Sequence, residues 1–357
     1  MTSSWRNMSS SGKIIPLESL RGIAAVLVVI YHFNPAQQLL RDPVILHGYL
    51  MVDLFFVLSG FVIAMNYANR IVDRATFADF WRLYPLHLLM LIVFLLIEIA
   101  QWCLETMRGS AGALPAFSQN DLPALIANLT LTHALVLDRL SFNHPSWSIS
   151  TEFFAYLLFG FSMLCGRWRT LVLALMFAGS VLFIIEIDTG RLAEAVYPGG
   201  IFRCLFGFVI GCFTWWCFDT YSAAAAALAV VGAIAWLAAS PLEFVIPVSF
   251  AACVWTLAGL PKTSAVARLL STPVLASIGK ISYSIYMVHA AIYAVMNFAL
   301  VIAGHSVAEL SAVQGAIFMV IGLASVFATS AITYRYVELP WLSPKRSRSQ
   351  QALAPTG

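Results

Sequence analysis

Charged residues are scarce in this chain of 357 residues, where Asp, Glu, Lys and Arg together make up only 10% of the total. A soluble domain of ordinary composition carries roughly 25% charged residues, so a water-facing surface cannot be assembled here and a soluble globular enzyme is excluded. A disordered or fibrous chain is excluded as well, because 25 Phe, 12 Tyr and 10 Trp supply far too many apolar rings.

The chain has neither a strong excess of one sign of charge nor a metal-binding sequence pattern. Its 20 Lys and Arg residues stand against 17 Asp and Glu, and the net charge of +3 is too small to indicate nucleic-acid binding. The six cysteines lie mostly inside apolar runs, with no C-x-x-C or His–Cys spacing. We therefore expect them to be small core residues, and we predict no metal site.

Long apolar runs are abundant in the chain, since 61% of its residues are hydrophobic. A helix needs about 20 apolar residues to cross a bilayer. Segments of about this length predict an all-α, polytopic membrane helical bundle with about ten transmembrane helices, at 14–33, 49–67, 83–104, 147–165, 171–187, 200–218, 223–239, 244–260, 281–303 and 315–334. The weaker stretch 122–137 contains Asn, Thr and His, so an interfacial or re-entrant helix is expected there.

The loops predict how this bundle is oriented. Ten spans put both termini on one side, and placing that side in the cytoplasm gives it eleven loop and tail Lys and Arg residues against four outside. We therefore expect a cytoplasmic tail at 1–13, a transmembrane domain at 14–341 and a basic cytoplasmic tail at 342–357. The lipid bilayer is thus the first predicted partner, and no internal repeat is evident.

Ionisable side chains inside the predicted spans are candidates for function, because they are costly in lipid and usually face the bundle interior. Arg21 and His32 are eleven residues apart in the first span, which places both on one helix face, separated by about 16 Å along the axis. Arg21 then lies near the cytoplasmic end and His32 near the outer end. For His32 alone, an interfacial histidine that caps the span is the simpler alternative.

Further polar groups are predicted in the same outer half. Asp53 lies near the start of the second span, and Ser148 and Glu152 are four residues apart in the fourth. A histidine beside a carboxylate is an effective general base, so His32 with Asp53 or Glu152 forms the predicted catalytic group. Buried polar groups that only hold helices together remain the alternative.

The remaining candidates concern binding. Trp147 and Ser148 are predicted to position a hydroxylated acceptor. Arg203 is expected to contact either the acceptor or a carboxylate such as Glu152. Arg21 and Arg82 are predicted to line a basic cytoplasmic cleft for the phosphates of a nucleotide-like donor.

Seven segments in order resemble the acyltransferase-3 family of integral-membrane O-acyltransferases over nearly the whole chain. They are LESLRGIAAVLVVIYHF, VDLFFVLSGFVIA, RLYPLHLL, SWSISTEFFAYLLFG, FRCLFGFVIG, IGKISYSIYMVHAAI and YRYVELP. The Arg-x10-His pattern of the family corresponds to Arg21 and His32, and its Arg-x-x-Pro pattern to Arg82 and Pro85.

The resemblance implies transfer of an acyl group, with acetyl expected, from cytoplasmic acyl-CoA to a carbohydrate hydroxyl at the cell surface or on an exported glycan. It implies acyl-CoA as a co-substrate, no tightly bound cofactor, and a bacterial inner membrane. No SGNH hydrolase-like domain follows Trp341, which predicts the membrane-only form.

One position departs from the family pattern. Asp79 stands where family members commonly carry an arginine, and an acidic side chain there would repel donor phosphates. An inactive family member that acts as an assembly partner is therefore an alternative. A transporter or flippase for a glycosylated or anionic lipid is another, although the chain lacks an inverted repeat.

Overall fold

The structure, a computed structural model, describes residues 14–34, 40–67, 82–110, 115–186, 196, 199–218, 223–238 and 245–341. Every regular element in these ranges is a helix. The predicted tails at 1–13 and 342–357, and Arg74 and Asp79, lie outside the described residues.

Fifteen α-helices follow one another along the described chain, and the last continues into a π-helical turn at Tyr334–Glu338. Their bounds are α1 Ile15–Phe33, α2 Pro43–Leu46, α3 Met51–Tyr67, α4 Tyr84–Arg108, α5 Leu122–Leu129, α6 His133–Val136, α7 Ser146–Leu164, α8 Arg169–Glu186, α9 Gly200–Cys217, α10 Ala223–Ala238, α11 Val245–Gly259, α12 Ala265–Leu270, α13 Pro273–Lys280, α14 Ser282–Ile302 and α15 Ala312–Thr333.

Eight of these helical segments are long and apolar enough to cross a membrane within the described residues, namely those containing α1, α3, α4, α7, α8, α9, α14 and α15. Helices α10 and α11 are also apolar, but at 16 and 15 residues they are shorter than a full span. The predicted count of ten is thus supported for eight segments. Large apolar side chains such as Leu96, Leu175 and Leu182 are exposed on the outside of the bundle, as expected for an integral membrane protein facing lipid.

The stretch 122–137 forms two short helices, α5 and α6, of eight and four residues. Both are too short to span the hydrocarbon layer, which confirms that this stretch is not a full crossing. The carboxylate of Asp121 accepts a hydrogen bond from the backbone N–H of Ala124 and so caps α5.

Helices α3 and α9 make the most extensive helix contact, and glycine permits it. Gly207 and Gly211 are four residues apart on α9, and Gly60 faces them from α3. A Cβ at Gly211 would collide with the carbonyl oxygen of Val57, and one at Gly60 with that of Phe208. Such small residues let two membrane helices approach backbone to backbone.

Helix α1 lies in the middle of the bundle, in contact with α3, α11, α13, α14 and α15. Gly22 allows its close approach to α13, because a Cβ there would lie 2.6 Å from the backbone nitrogen of Gly279. Ala24 and Ala25 are fully buried. The helix that carries both Arg21 and His32 is therefore held in place on several sides.

Replacing Gly211 by Leu tests the α3–α9 contact. The added side chain must push the backbone of α3 away, and overpacking of this kind costs about 1–3 kcal/mol. The thermal unfolding temperature of the detergent-purified protein should fall clearly. Gly179→Leu on α8 is the matched control, because a Cβ at Gly179 meets nothing within 4 Å. Equal unfolding temperatures for the two variants would contradict the close packing.

Candidate functional site

A buried ion pair joins α3 to α9 in the outer half of the bundle. Here "outer" and "inner" are used according to the orientation predicted from the loop charges. Arg203 donates to Asp53 through both Nε and Nη2, at 2.9 and 2.7 Å. The two side chains are only 3% and 1% exposed. Two-point pairing of this kind satisfies both carboxylate oxygens, so Asp53 is fully engaged in joining helices.

Trp147 packs beside this ion pair at the start of α7. The Arg203 guanidinium lies 5.5 Å from the centre of the indole ring, and Phe56 meets the ring edge-on at 5.9 Å. Trp147 is 9% exposed, so its ring is part of the packing. The structure thus brings the predicted acceptor residues Trp147 and Arg203 together, but the carboxylate that Arg203 contacts is Asp53 and not Glu152.

His32 lies near the outer end of α1, against a second histidine. Its Nδ1 is 2.8 Å from the carbonyl oxygen of Val28, and its ring centre is 4.9 Å from that of His289 on α14. The Nδ1 of His289 is 2.6 Å from the carbonyl oxygen of Tyr286. Because a carbonyl only accepts hydrogen bonds, both histidines carry their proton on Nδ1. In each ring Nε2 is therefore the basic nitrogen.

A third histidine, His144, lies in the loop before α7, within electrostatic reach of His32. Part of its side chain remains exposed. Desolvation by the surrounding protein, and after it the charge of His32, lower the pKa of His144 below its usual value. His144 is therefore uncharged at neutral pH.

The predicted pairing of His32 with a carboxylate does not form. Among the described residues, no Asp or Glu side chain lies within hydrogen-bonding distance of its ring. Asp53 is occupied by Arg203, and Glu152 is bonded to other groups further along α7. The prediction that Asp53 or Glu152 assists His32 directly is therefore wrong in this geometry.

Ser148 is bound to α14 rather than to a histidine. Its hydroxyl is 2.8 Å from the hydroxyl of Tyr286, and both groups donate to the carbonyl oxygen of Pro145, at 3.0 and 3.1 Å. Ser148 is 4% exposed. A serine held in this way has no neighbouring base to activate it as a nucleophile.

Glu152 lies one turn deeper on α7 and belongs to a different group from the one predicted. Its carboxylate accepts hydrogen bonds from Ser59 of α3 and from Tyr156, which is four residues further along α7. Glu152 and Tyr156 therefore share a helix face. The charge of Arg82 reaches Tyr156, so Glu152 lies toward the donor end of the bundle and away from His32.

The inner half of the bundle gathers arginines around a second carboxylate, that of Glu338 in the π-helical turn. Ser284 donates to this carboxylate, and the charges of Arg82 and Arg21 both reach it. Among the described residues Glu338 forms no ion pair with Arg335, which lies three residues before it. Single π-helical turns are frequent at functional sites.

The position of Arg82 is fixed by its chain neighbours. Pro85 occupies the first turn of α4, and the hydroxyl of Tyr283 on α14 donates to the carbonyl oxygen of Leu83 at 2.6 Å. Within the described ranges neither Arg21 nor Arg82 forms an ion pair with a carboxylate. Both guanidinium groups thus keep donors available for an anion.

Several residues of this region were missed or underrated from sequence. Ser59, Tyr286 and His289 stand inside apolar runs, and Tyr283, Tyr286 and His289 recur every third residue, which is a helix-face signal. Ser284 gave no comparable signal, because a lone serine in a membrane helix is common.

Comparison with known proteins identifies one family and several relatives. The family model of acyltransferase 3, described as an acyltransferase domain, matches residues 15–335. The chain is 26% identical to the O-acetyltransferase OatA of Staphylococcus aureus over 365 residues, covering 91% of this chain and 56% of OatA. It is 32% identical to the acyltransferase MdmB of Streptomyces mycarofaciens over 165 residues, 41% of this chain and 39% of MdmB.

A third relative, protein 2 in the picA locus of Rhizobium radiobacter, is 38% identical over 91 residues, 24% of this chain and 46% of that protein. In these matches the chain spans about half the length of its curated relatives. No solved structure matches significantly.

The Asp53–Arg203 pair can be tested by a double-mutant cycle. Asp53→Leu or Arg203→Met alone leaves one buried charge unpaired, which should lower the free energy of unfolding by about 3–5 kcal/mol. The double variant removes both charges and should recover most of that loss. Equilibrium denaturation of the four proteins in detergent measures the coupling, and strictly additive losses would contradict a direct pair.

Proposed function

The chain belongs to the acyltransferase-3 family, and we propose that it is a membrane O-acyltransferase. The proposed reaction moves an acyl group, with acetyl expected, from cytoplasmic acyl-CoA to a hydroxyl of a cell-surface or exported carbohydrate. Support for the group transferred comes from the name of the relative OatA, an O-acetyltransferase.

The observation that carries the proposal is a line of polar groups connecting the two ends of the bundle. Arg21 and His32 lie on the same helix, about 16 Å apart along its axis. On α14, Ser284, Tyr286 and His289 follow one another toward the outer end, and the charge of Glu152 on α7 reaches Tyr286 beside them. A donor bound at one end is proposed to meet the base at the other along this line.

At the inner end, Arg21 and Arg82 are the proposed donor-binding residues. The carboxylates of Glu152 and Glu338 are bonded to hydroxyl groups, so the arginines are not consumed by them. Guanidinium groups bind phosphate oxygens in pairs of hydrogen bonds. The phosphates of a coenzyme A derivative have the matching charge.

At the outer end, His32 is the proposed general base. With its Nδ1 proton held by Val28, its Nε2 can take the proton of an acceptor hydroxyl while the hydroxyl oxygen attacks the thioester carbonyl. The C–O bond forms, the C–S bond breaks, and the coenzyme leaves as a thiolate that later recovers the proton. Direct transfer is favoured over an acyl-serine, because the hydroxyl of Ser148 contacts Tyr286 and Pro145 instead of a base.

The proposed orientation puts the arginine end in the cytoplasm of a bacterium, in its inner membrane, with both termini on that side. The Lys- and Arg-rich loops lie at the arginine end, and loops of this composition are usually cytoplasmic. Acyl-CoA is a cytoplasmic metabolite, so a donor site at that end would face its supply. Asp53, Trp147 and Arg203 then support the start of α7 beside the acceptor region.

Two substitutions test the two ends separately. His32→Ala should reduce kcat for acyl transfer by about 10²–10⁴-fold, the usual contribution of a general base. Arg82→Ala should mainly raise KM for acetyl-CoA, by about tenfold for one lost charged hydrogen bond. Release of coenzyme A thiol by purified protein and acyl incorporation into surface glycan are the two measurements.

Matched controls are available outside the site. His305→Ala removes an exposed histidine and Arg268→Ala an exposed arginine, and both should leave the rates unchanged. Full activity of His32→Ala would eliminate it as the base. Absence of any thiol release by the wild-type protein, together with transport of a glycosylated lipid, would favour the carrier alternative.

A further inference from the structure

His289 has a buried basic nitrogen that no described group uses. The residue is 0% exposed, its Nδ1 is engaged by the Tyr286 carbonyl, and its Nε2 has no hydrogen-bond partner among the described residues. A buried acceptor left unpaired is costly, and beside the proposed base such an acceptor is available to a donor that appears only during the reaction.

The nearest ring to His289 is that of His32, tilted by 51° at a centre-to-centre distance of 4.9 Å. A hydrogen bond of about 2.9 Å between nitrogens of two imidazole rings places the ring centres about 5 Å apart. No hydrogen bond joins the two rings in the resting state, but the spacing is short enough for one to form between the Nε2 atoms once the His32 ring turns. In the resting state neither Nε2 atom carries a proton, and two acceptors cannot form a hydrogen bond with each other.

We propose that His289 is a positioning residue for acyl transfer, taking the part that a carboxylate was expected to play. The proposal rests on the function proposed above. Once Nε2 of His32 has taken the hydroxyl proton, the acylated oxygen becomes a poor acceptor for that proton. Nε2 of His289 then accepts the hydrogen bond and stabilises the imidazolium of His32 until the departing thiolate takes the proton back.

The carboxylates around the pair do not fill this role, because each is bonded elsewhere. His144 faces His32 from the loop before α7, and Tyr286 on the same helix as His289 has its hydroxyl on Ser148 and Pro145. Asp53 on α3 and Arg203 on α9 neutralise each other, and Glu152 on α7 is bonded to Ser59 and Tyr156. No described carboxylate thus competes with His289 for the proton on His32.

Two substitutions separate the acceptor at Nε2 from the anchor at Nδ1. In His289→Asn the amide nitrogen replaces Nδ1 and can still donate to Tyr286, but nothing replaces Nε2. In His289→Gln the amide oxygen can reach the place of Nε2 and accept the hydrogen bond. A role as acceptor predicts that Asn lowers kcat about tenfold or more, with KM little changed, and that Gln recovers much of the loss.

The pH dependence of kcat distinguishes a role as acceptor from a merely structural role, which would leave it unchanged. Without the acceptor the imidazolium of His32 is less stable, so the acidic limb of kcat should shift to lower pH in His289→Asn, by about one pH unit. His305→Ala is the control, and the unfolding temperature of each variant is measured alongside.

The results for the His289 variants can be told apart from a failure of the proposed function. Loss of activity in His32→Ala with wild-type kcat and an unshifted profile in His289→Asn would overturn the role of His289 alone. Better activity in Asn than in Gln would show that the anchor to Tyr286 matters instead, which also overturns it. No acyl transfer by the wild-type protein would overturn both proposals.

Discussion

A polar side chain inside a hydrocarbon layer has no water to bond, and this constraint organises the whole molecule. Many buried polar groups of the described bundle meet a partner from another helix, as Asp53 meets Arg203 and Ser148 meets Tyr286, and others bond to the backbone of their own helix. Some have no partner in the described structure, including the hydroxyls of Ser19 and Ser330, and those near the proposed reaction are of most interest. Nε2 of His289 lacks a described partner, and the guanidinium groups of Arg21 and Arg82 form no described ion pair. These groups lie at the two ends of one polar line.

The same constraint divides the polar residues into structural and chemical sets. The buried ion pair, with Trp147 packed on Arg203, ties α3, α7 and α9 together beside close glycine contacts. Because those charges neutralise each other, they leave the histidines as the proton-active groups of the outer half. At the inner end, hydroxyl groups rather than arginines satisfy Glu152 and Glu338. Carboxylates that are already bonded leave the arginines able to attract a donor.

Composition and periodicity predicted the helices, because a chain with so little charge has few ways to satisfy its backbone except by helices in lipid. The shared face of Arg21 and His32 followed from spacing within one helix. Pairings between helices did not follow. Asp53 and Arg203 are 150 residues apart, and which carboxylate an arginine meets depends on the rotation of two helices about their axes. Glu152 was misplaced for a related reason, since one helical turn along α7 moves it about 5 Å toward the donor end.

A donor bound at the arginine end and an acceptor at the histidine end are proposed to meet inside one bundle, from opposite sides of the membrane. The most direct measurement uses purified protein reconstituted in sealed vesicles, with labelled acetyl-CoA on one side and a carbohydrate acceptor on the other. Label should reach the acceptor only when acetyl-CoA is on the side of Arg21 and Arg82. His32→Ala should reduce this transfer by about 10²–10⁴-fold. Transfer that requires both substrates on the same side would contradict this proposal.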